Sequence, residues 1–180
     1  MTVSGHAHDV PPPPPVTVTQ HLYLARYIAS DALGGFSTVG LGAHDRLLEE
    51  GGRGPSIPDI GIGVIVTSTS WQPDLTAGGV LVELVEPSGR TTALNDIDGA
   101  TAFGEGTPGE PYRVAFAIQH HDVRTGGTGR HRLRVTTTLA GAREQDAQTI
   151  MSEVDLLVHP ATADQPDDPP PTVPGSLGYL

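Results

Sequence analysis

The chain has 180 residues, no cysteine and a formal net charge of −11. The missing thiols exclude disulfide frameworks, thiolate metal sites and cysteine nucleophiles. The acidic balance argues against nucleic acid or an anionic membrane as the main partner.

Glycine (23) and proline (17) stand well above their usual shares, which favours one domain of many short elements and turns over long helices. Residues 1–15, MTVSGHAHDVPPPPP, carry neither a basic start nor an apolar run, so no secretory signal is expected. They end in Pro11, Pro12, Pro13, Pro14 and Pro15, which predict extended polyproline II at about 3.1 Å per residue. Such an arm cannot bury a core of its own and is expected to be mobile alone and ordered by a partner. Its His6-Ala7-His8 pair, beside Asp9, has the spacing of a cupin metal motif but not the strand and glycine frame that motif requires.

Residues 16–159 read as one β-domain. VTVTQHLYLARYI and FSTVGLG look like two strands, and DRLLEE (Asp45–Glu50) like one short helical turn. The glycines of Gly40-Leu41-Gly42 are read as strand positions approached closely by a neighbouring backbone or side chain. Ile60, Ile62, Val64 and Val66 then alternate with Gly61, Gly63, Ile65 and Thr67. Val80, Val82 and Leu84 alternate with Leu81, Glu83 and Val85, and Pro87-Ser88-Gly89 makes a turn. Asn95 to Gly109 reads as loop with a short strand around Thr101 to Phe103. Tyr112, Val114, Phe116 and Ile118 start a further strand, Leu133, Val135, Thr137 and Leu139 another, and Ile150, Val154, Leu156 and Val158 the last. Period two with β-branched enrichment and Gly/Pro/Asp punctuation predicts an antiparallel β-sandwich of about seven or eight strands.

Residues 160–180 hold six prolines and three aspartates and close on Leu177, Tyr179 and Leu180. This tail supplies the anchoring side chains that the N-terminal prolines lack. Pro11 to Pro15 with Leu177, Tyr179 and Leu180 are therefore the candidate partner-binding residues.

The polar stretch IQHHDVRTGGTGRHRLRV, Ile118 to Val135, is the strongest candidate for chemistry. Pairing the strands on either side of TGGTG would set His120 against His131, Ile118 against Leu133, Phe116 against Val135 and Tyr112 against Leu139. Every core residue then meets a core residue, which makes a hairpin with a polar tip the leading reading. A metal would need a third ligand from Asp122, His44 or Asp45, and Arg124, Arg130 and Arg132 would repel it. Asn95-Asp96-Ile97-Asp98-Gly99, with Glu105 six residues after the glycine, has only part of a calcium-loop pattern and reads as a turn. No G-x-S-x-G, P-loop or dinucleotide fingerprint occurs. Trp71, the single tryptophan, reads as a lid over the end of the sandwich; exposed, it would offer a stacking face for a sugar.

LARYIASDALGGFSTVGLGAHDRL, an alternating strand, VLVELVEPSGR, a strand–loop–strand and EVDLLVHP occur in this order. Over residues 18–159 this resembles a family of small all-β proteins from bacteria and their phages, known as a domain of unknown function. The VGLG and ELVEPSGR segments carry the likeness best. The resemblance implies the sandwich and no catalytic residue, and both proline-rich tails lie outside it.

The expected function is therefore non-enzymatic and without cofactor: a structural or binding protein acting through surface and tail contacts. Its partners would be other proteins or copies of itself, as an oligomer or a virion component, and neither nucleic acid nor membrane. It would reside in the cytoplasm or within a viral particle. A small-molecule or carbohydrate-binding module is the first alternative, and a metal-dependent enzyme centred on His120 and His131 the second.

Overall fold

The computed structural model describes residues 17–31, 35–42, 44–51, 54–71, 78–139 and 148–160. They are almost entirely β. The strands are β1 (Val18–Ala25), β2 (Tyr27–Ser30), β3 (Phe36–Val39), β4 (Asp45–Gly51) and β5 (Gly54–Ser68). Then come β6 (Gly79–Val85), β7 (Thr91–Asp98), β8 (Tyr112–Arg124), β9 (Gly129–Leu139) and β10 (Gln148–Pro160). One short helix, α1 (Gly99–Phe103), follows β7.

Eight strands make one large curled sheet in the order β1-β5-β4-β10-β9-β6-β7, with β8 on the other side of β5. Strands β2 and β3 form a separate two-stranded sheet. Strand β4 turns the corner of the curl. Leu47 and Leu48 pair in parallel with His159 and Pro160 of β10, and Glu49 to Gly51 pair antiparallel with Gly54 to Ser56 of β5. The rows predicted to face inward do so: Ile60, Ile62, Val64, Val66, Val80, Val82, Leu84, Leu133, Val135, Leu139, Leu156 and Val158 belong to one buried cluster. A polar tie crosses this core from β1 to β9. Gln20 donates to the Val135 carbonyl at 3.1 Å and accepts from the hydroxyl of Thr137, which is fully buried.

Four sequence expectations are corrected. DRLLEE is strand, because parallel pairing with β10 outweighs the helical preference of its leucines and glutamates. The VGLG segment is not a continuous strand: β3 ends at Val39, and Gly40 (φ 68°) and Gly42 (φ 73°) turn the chain toward β4. Asn95 to Asp98 belong to β7 rather than to a loop, and Thr101 to Phe103 lie in α1 rather than in a short strand, because Asp98 caps the turn at Thr101.

The fourth correction is the largest. Strands β8 and β9 are not a hairpin. Ile118 pairs with Ile62, Phe116 with Val64 and His120 with Ile60. On the other half of the sheet Leu133 lies between Val154 and Leu84, and Val135 between Ser152 and Val82. The TGGTG segment is thus a crossing between the two halves of the sheet. Apolar rows of equal period match in many partner choices, so the pattern sets which residues face inward but not which strand lies beside them.

The small β2–β3 sheet covers the outward face of β5. Gly61 and Gly63 leave the room it needs: a Cβ on Gly63 would lie 2.6 Å from Cζ of Phe36, and one on Gly61 would lie 3.0 Å from Cγ2 of Ile28. The backbone amide of Ile28 donates to Oε1 of Gln119 at 2.9 Å, which fixes the small sheet to β8.

Candidate functional site

Two polar clusters are built into this frame. The first lies where β2 meets β5 and β8. Asp59 and His121 are cross-strand partners. Nδ1 of His121 lies 2.6 Å from Oδ1 of Asp59, and the Tyr27 hydroxyl donates to Oδ2 at 2.8 Å. The carboxylate can only accept, so Nδ1 carries the ring proton and Nε2 is left as the lone-pair atom. The His121 side chain is 65% exposed and that of Asp59 only 14%. The Asp59 hydrogen bond comes first in raising the Tyr27 hydroxyl above its ordinary pKa, with burial second.

Arg46 supports the cluster from inside. It is buried, and it donates to three backbone carbonyls: Asp59 at 2.9 Å, Asp45 at 2.9 Å and Ala25 at 2.7 Å. Burial, followed by the charge of Arg26, lowers its pKa. The guanidinium joins the end of β1 to the start of β4 and to β5. An oriented, exposed imidazole can accept a proton or bind a ligand through one nitrogen.

The second cluster closes the β8–β9 crossing. Nε2 of His131 is 2.6 Å from the Thr125 hydroxyl, and Nδ1 is 3.1 Å from the Gly129 carbonyl. Nδ1–H donates to the carbonyl, so in the neutral ring Nε2 accepts from Thr125. A hydroxyl on a histidine is the geometry of an activated nucleophile. In this fold Thr125 is 4% exposed and His131 fully buried, and the third position is a peptide carbonyl. The pair braces the loop.

Glu86 sits beside it, its side chain 4% exposed, accepting from Arg90, from Ser88 and from the Gly126 amide at 3.1 Å. Burial alone would raise its pKa. The hydrogen bonds from Arg90 and Gly126, with the nearby Arg90 and His131, outweigh burial and hold it below the ordinary 4.5.

The sequence-predicted metal set is dispersed by this arrangement. His120 and His131 lie on strands that do not pair with each other, His44 bonds to the Asp155 carbonyl at 2.8 Å and Asp45 to His159 at 2.8 Å. Burial first, then His121, lowers the His120 pKa, and its Nε2 is buried without a hydrogen-bond partner among the described residues. Asp122 stands at φ 51°, a left-handed conformation that re-phases β8, so that Val123 is buried two residues after the outward His121. No group of three or more His, Asp or Glu side chains able to hold a metal occurs among the described residues.

Asp98 caps α1 rather than serving a calcium loop. Its carboxylate accepts from the Thr101 amide at 2.9 Å and the Thr101 hydroxyl at 3.0 Å. Trp71 is 8% exposed, lies directly against Gly106 and bridges to Pro108, so its ring does not present the open face a stacked sugar requires. His6, His8, Pro11 to Pro15, Leu177, Tyr179 and Leu180 lie outside the described residues.

Sequence reasoning missed Tyr27, Asp59, Arg46, Thr125 and Glu86. The available signal was the lone charge of Asp59 in the apolar run IPDIGIG; Arg46, flanked by Asp45, Glu49 and Glu50, gave none. No family model matches the chain, and no curated protein matches it. Among the described residues no helix is long and apolar enough to cross a membrane.

Proposed function

We propose that this chain is a non-enzymatic structural or binding protein that acts through surface and tail contacts, as one component of a multi-subunit particle such as a phage virion. In this reading the curled sheet is a β-sandwich. One leaf is β8-β5-β1, the other is β10-β9-β6-β7, and β4 passes between them. The observation that supports the reading is how the buried polar side chains are used. Arg46, Glu86, Thr125 and His131 bond to the chain's own backbone or to one another, at the points where the chain crosses between strands. They stiffen a scaffold. The proline-rich segments 1–15 and 160–180 then serve as straps to neighbouring subunits, and the protein resides in the cytoplasm or the particle.

Light scattering on the full chain and on one lacking residues 1–15 and 161–180 tests this, with thermal melting as the folding control. The full chain is expected to form assemblies larger than a pair, and the trimmed chain to lose them while melting at a similar temperature. A full chain that stays monomeric at every concentration and binds no particle component overturns the proposal.

A further inference from the structure

Strand β8 runs from Tyr112 to Arg124, and among the described residues it pairs with β5 alone. Its other edge therefore presents a row of backbone donors and acceptors. Between Arg113 and His120 that edge reads VAFAIQ, with no charge, proline or glycine. Uncharged, β-prone edges of this kind are templates for another strand. Tyr112, Val114 and Phe116 pack against the core but remain only half-buried, so a partly exposed apolar row runs beside the free backbone.

The strand is also complementary to itself. In a two-fold antiparallel pairing, residues opposite each other must lie on the same face of the sheet. Centred on Phe116, such a pairing sets Val114 against the partner's Ile118, Ala115 against the partner's Ala117, and Arg113 against the partner's Gln119. Tyr112 meets the partner's His120, whose Nε2 is the buried atom without a hydrogen-bond partner. The next position is Pro111, which has no amide hydrogen, so the ladder ends there. Centring on Ala117 would oppose Arg113 to the partner's His121. Centring on Ile118 would oppose Val114 to the partner's Asp122, a residue at φ 51°.

From this we infer that β8 is a self-pairing edge, through which two copies of the chain join their sheets across a two-fold axis at Phe116. The inference rests on the assembly reading above and names its first contact. It predicts a pair that does not depend on the tails, to which the tails add further subunits.

The full chain contains no cysteine, so single cysteines report the register. Directly opposed residues have Cα atoms about 4.5–5.5 Å apart, within reach of a disulfide, whereas like residues one position off the axis are two positions out of register and beyond about 7 Å. Mild oxidation of Ala115→Cys mixed with Ala117→Cys is therefore expected to give a covalent dimer. Either variant alone is expected to give little, and the chain lacking residues 1–15 and 161–180 to show twice the monomer mass in solution. An unmodified chain that associates without this selective cross-link overturns β8 pairing and leaves the assembly reading standing. A selective cross-link in a chain that forms nothing larger than a pair supports β8 pairing and overturns the strap role of the tails. A chain that is monomeric and does not cross-link overturns both, as it would if one of its own tails covered the edge.

Discussion

Strands β7 and β8 both end the large sheet, and they are built differently. Strand β7 pairs with β6 through a register shift between Val82 and Glu83 that leaves Leu94 as an extra residue. Its exposed positions include Asp96 and Asp98. A bulge and acidic side chains are the usual means of blunting an edge. Strand β8 has neither device between Val114 and Gln119; its irregular residue, Asp122, stands near the far end. Among the described residues β7 carries both blunting devices, whereas the middle of β8 carries none and pairs on one side only. Under the pairing inferred above, the second is the edge that another copy of the chain would join.

The largest expected effect separates the core from the open edge. Leu133 is fully buried, so Leu133→Ala should cost about 2–5 kcal/mol at any protein concentration. Phe116 is half-buried, so Phe116→Ala should cost about 2 kcal/mol in dilute protein, below the range for a fully buried phenylalanine. That cost should grow with concentration if a second copy covers the ring. Chemical denaturation at two concentrations distinguishes the two sites. A concentration-independent cost at Phe116 would mean that β8 stays uncovered.

Glu86 touches both edges of the comparison, since it lies at the β6–β7 turn and receives the Gly126 amide from the β8–β9 crossing. Glu86→Gln should cost about 1.5–3 kcal/mol near neutral pH, the range for a charged hydrogen bond. The wild-type contribution has a definite sign with pH. The folded pKa lies below the unfolded one, so the stabilisation is complete above about 4.5 and is lost as pH falls through the lower folded value. Thermal melting between neutral and acid pH should show the variant losing less on acidification than the wild type. Parallel pH profiles would remove Glu86 from the account.

How much of this was legible in the sequence depends on the range of the interaction. Inward rows such as Ile60 to Val66 and Leu133 to Leu139, and the Pro87-Ser88-Gly89 turn, were readable because parity and turn chemistry are local. The partner of β8 was not. Phe116 against Val135 satisfies the pattern as well as Phe116 against Val64, and only the whole sheet decides between them. The same applies to DRLLEE, where a parallel neighbour more than one hundred residues away sets the conformation. At the sites, His120 and His131 drew attention by composition. The oriented imidazole is instead His121, because the acid that holds it, Asp59, lies on another strand.

A smaller effect is expected at that outer cluster. Asp59→Asn keeps the shape but removes the charge that receives Tyr27 and His121, at a cost of about 1–2 kcal/mol. The Tyr27 titration, followed by ultraviolet absorbance, should move down toward the ordinary value, since the Asp59 hydrogen bond is the first cause of its elevation. An unchanged tyrosine titration would contradict the assigned bond. Smallest of all, Asp96→Thr on the closed edge should change stability by less than about 0.5 kcal/mol and leave the mass in solution unchanged.

Amide hydrogen exchange on the full chain, compared between dilute and concentrated protein, tests the difference between the two edges most directly. Self-pairing predicts that amides between Tyr112 and His120 that do not bond to β5 gain protection as concentration rises, while those of β7 from Thr91 to Asp98 do not. Equal protection of β8 at both concentrations, or a gain confined to β7, would contradict it.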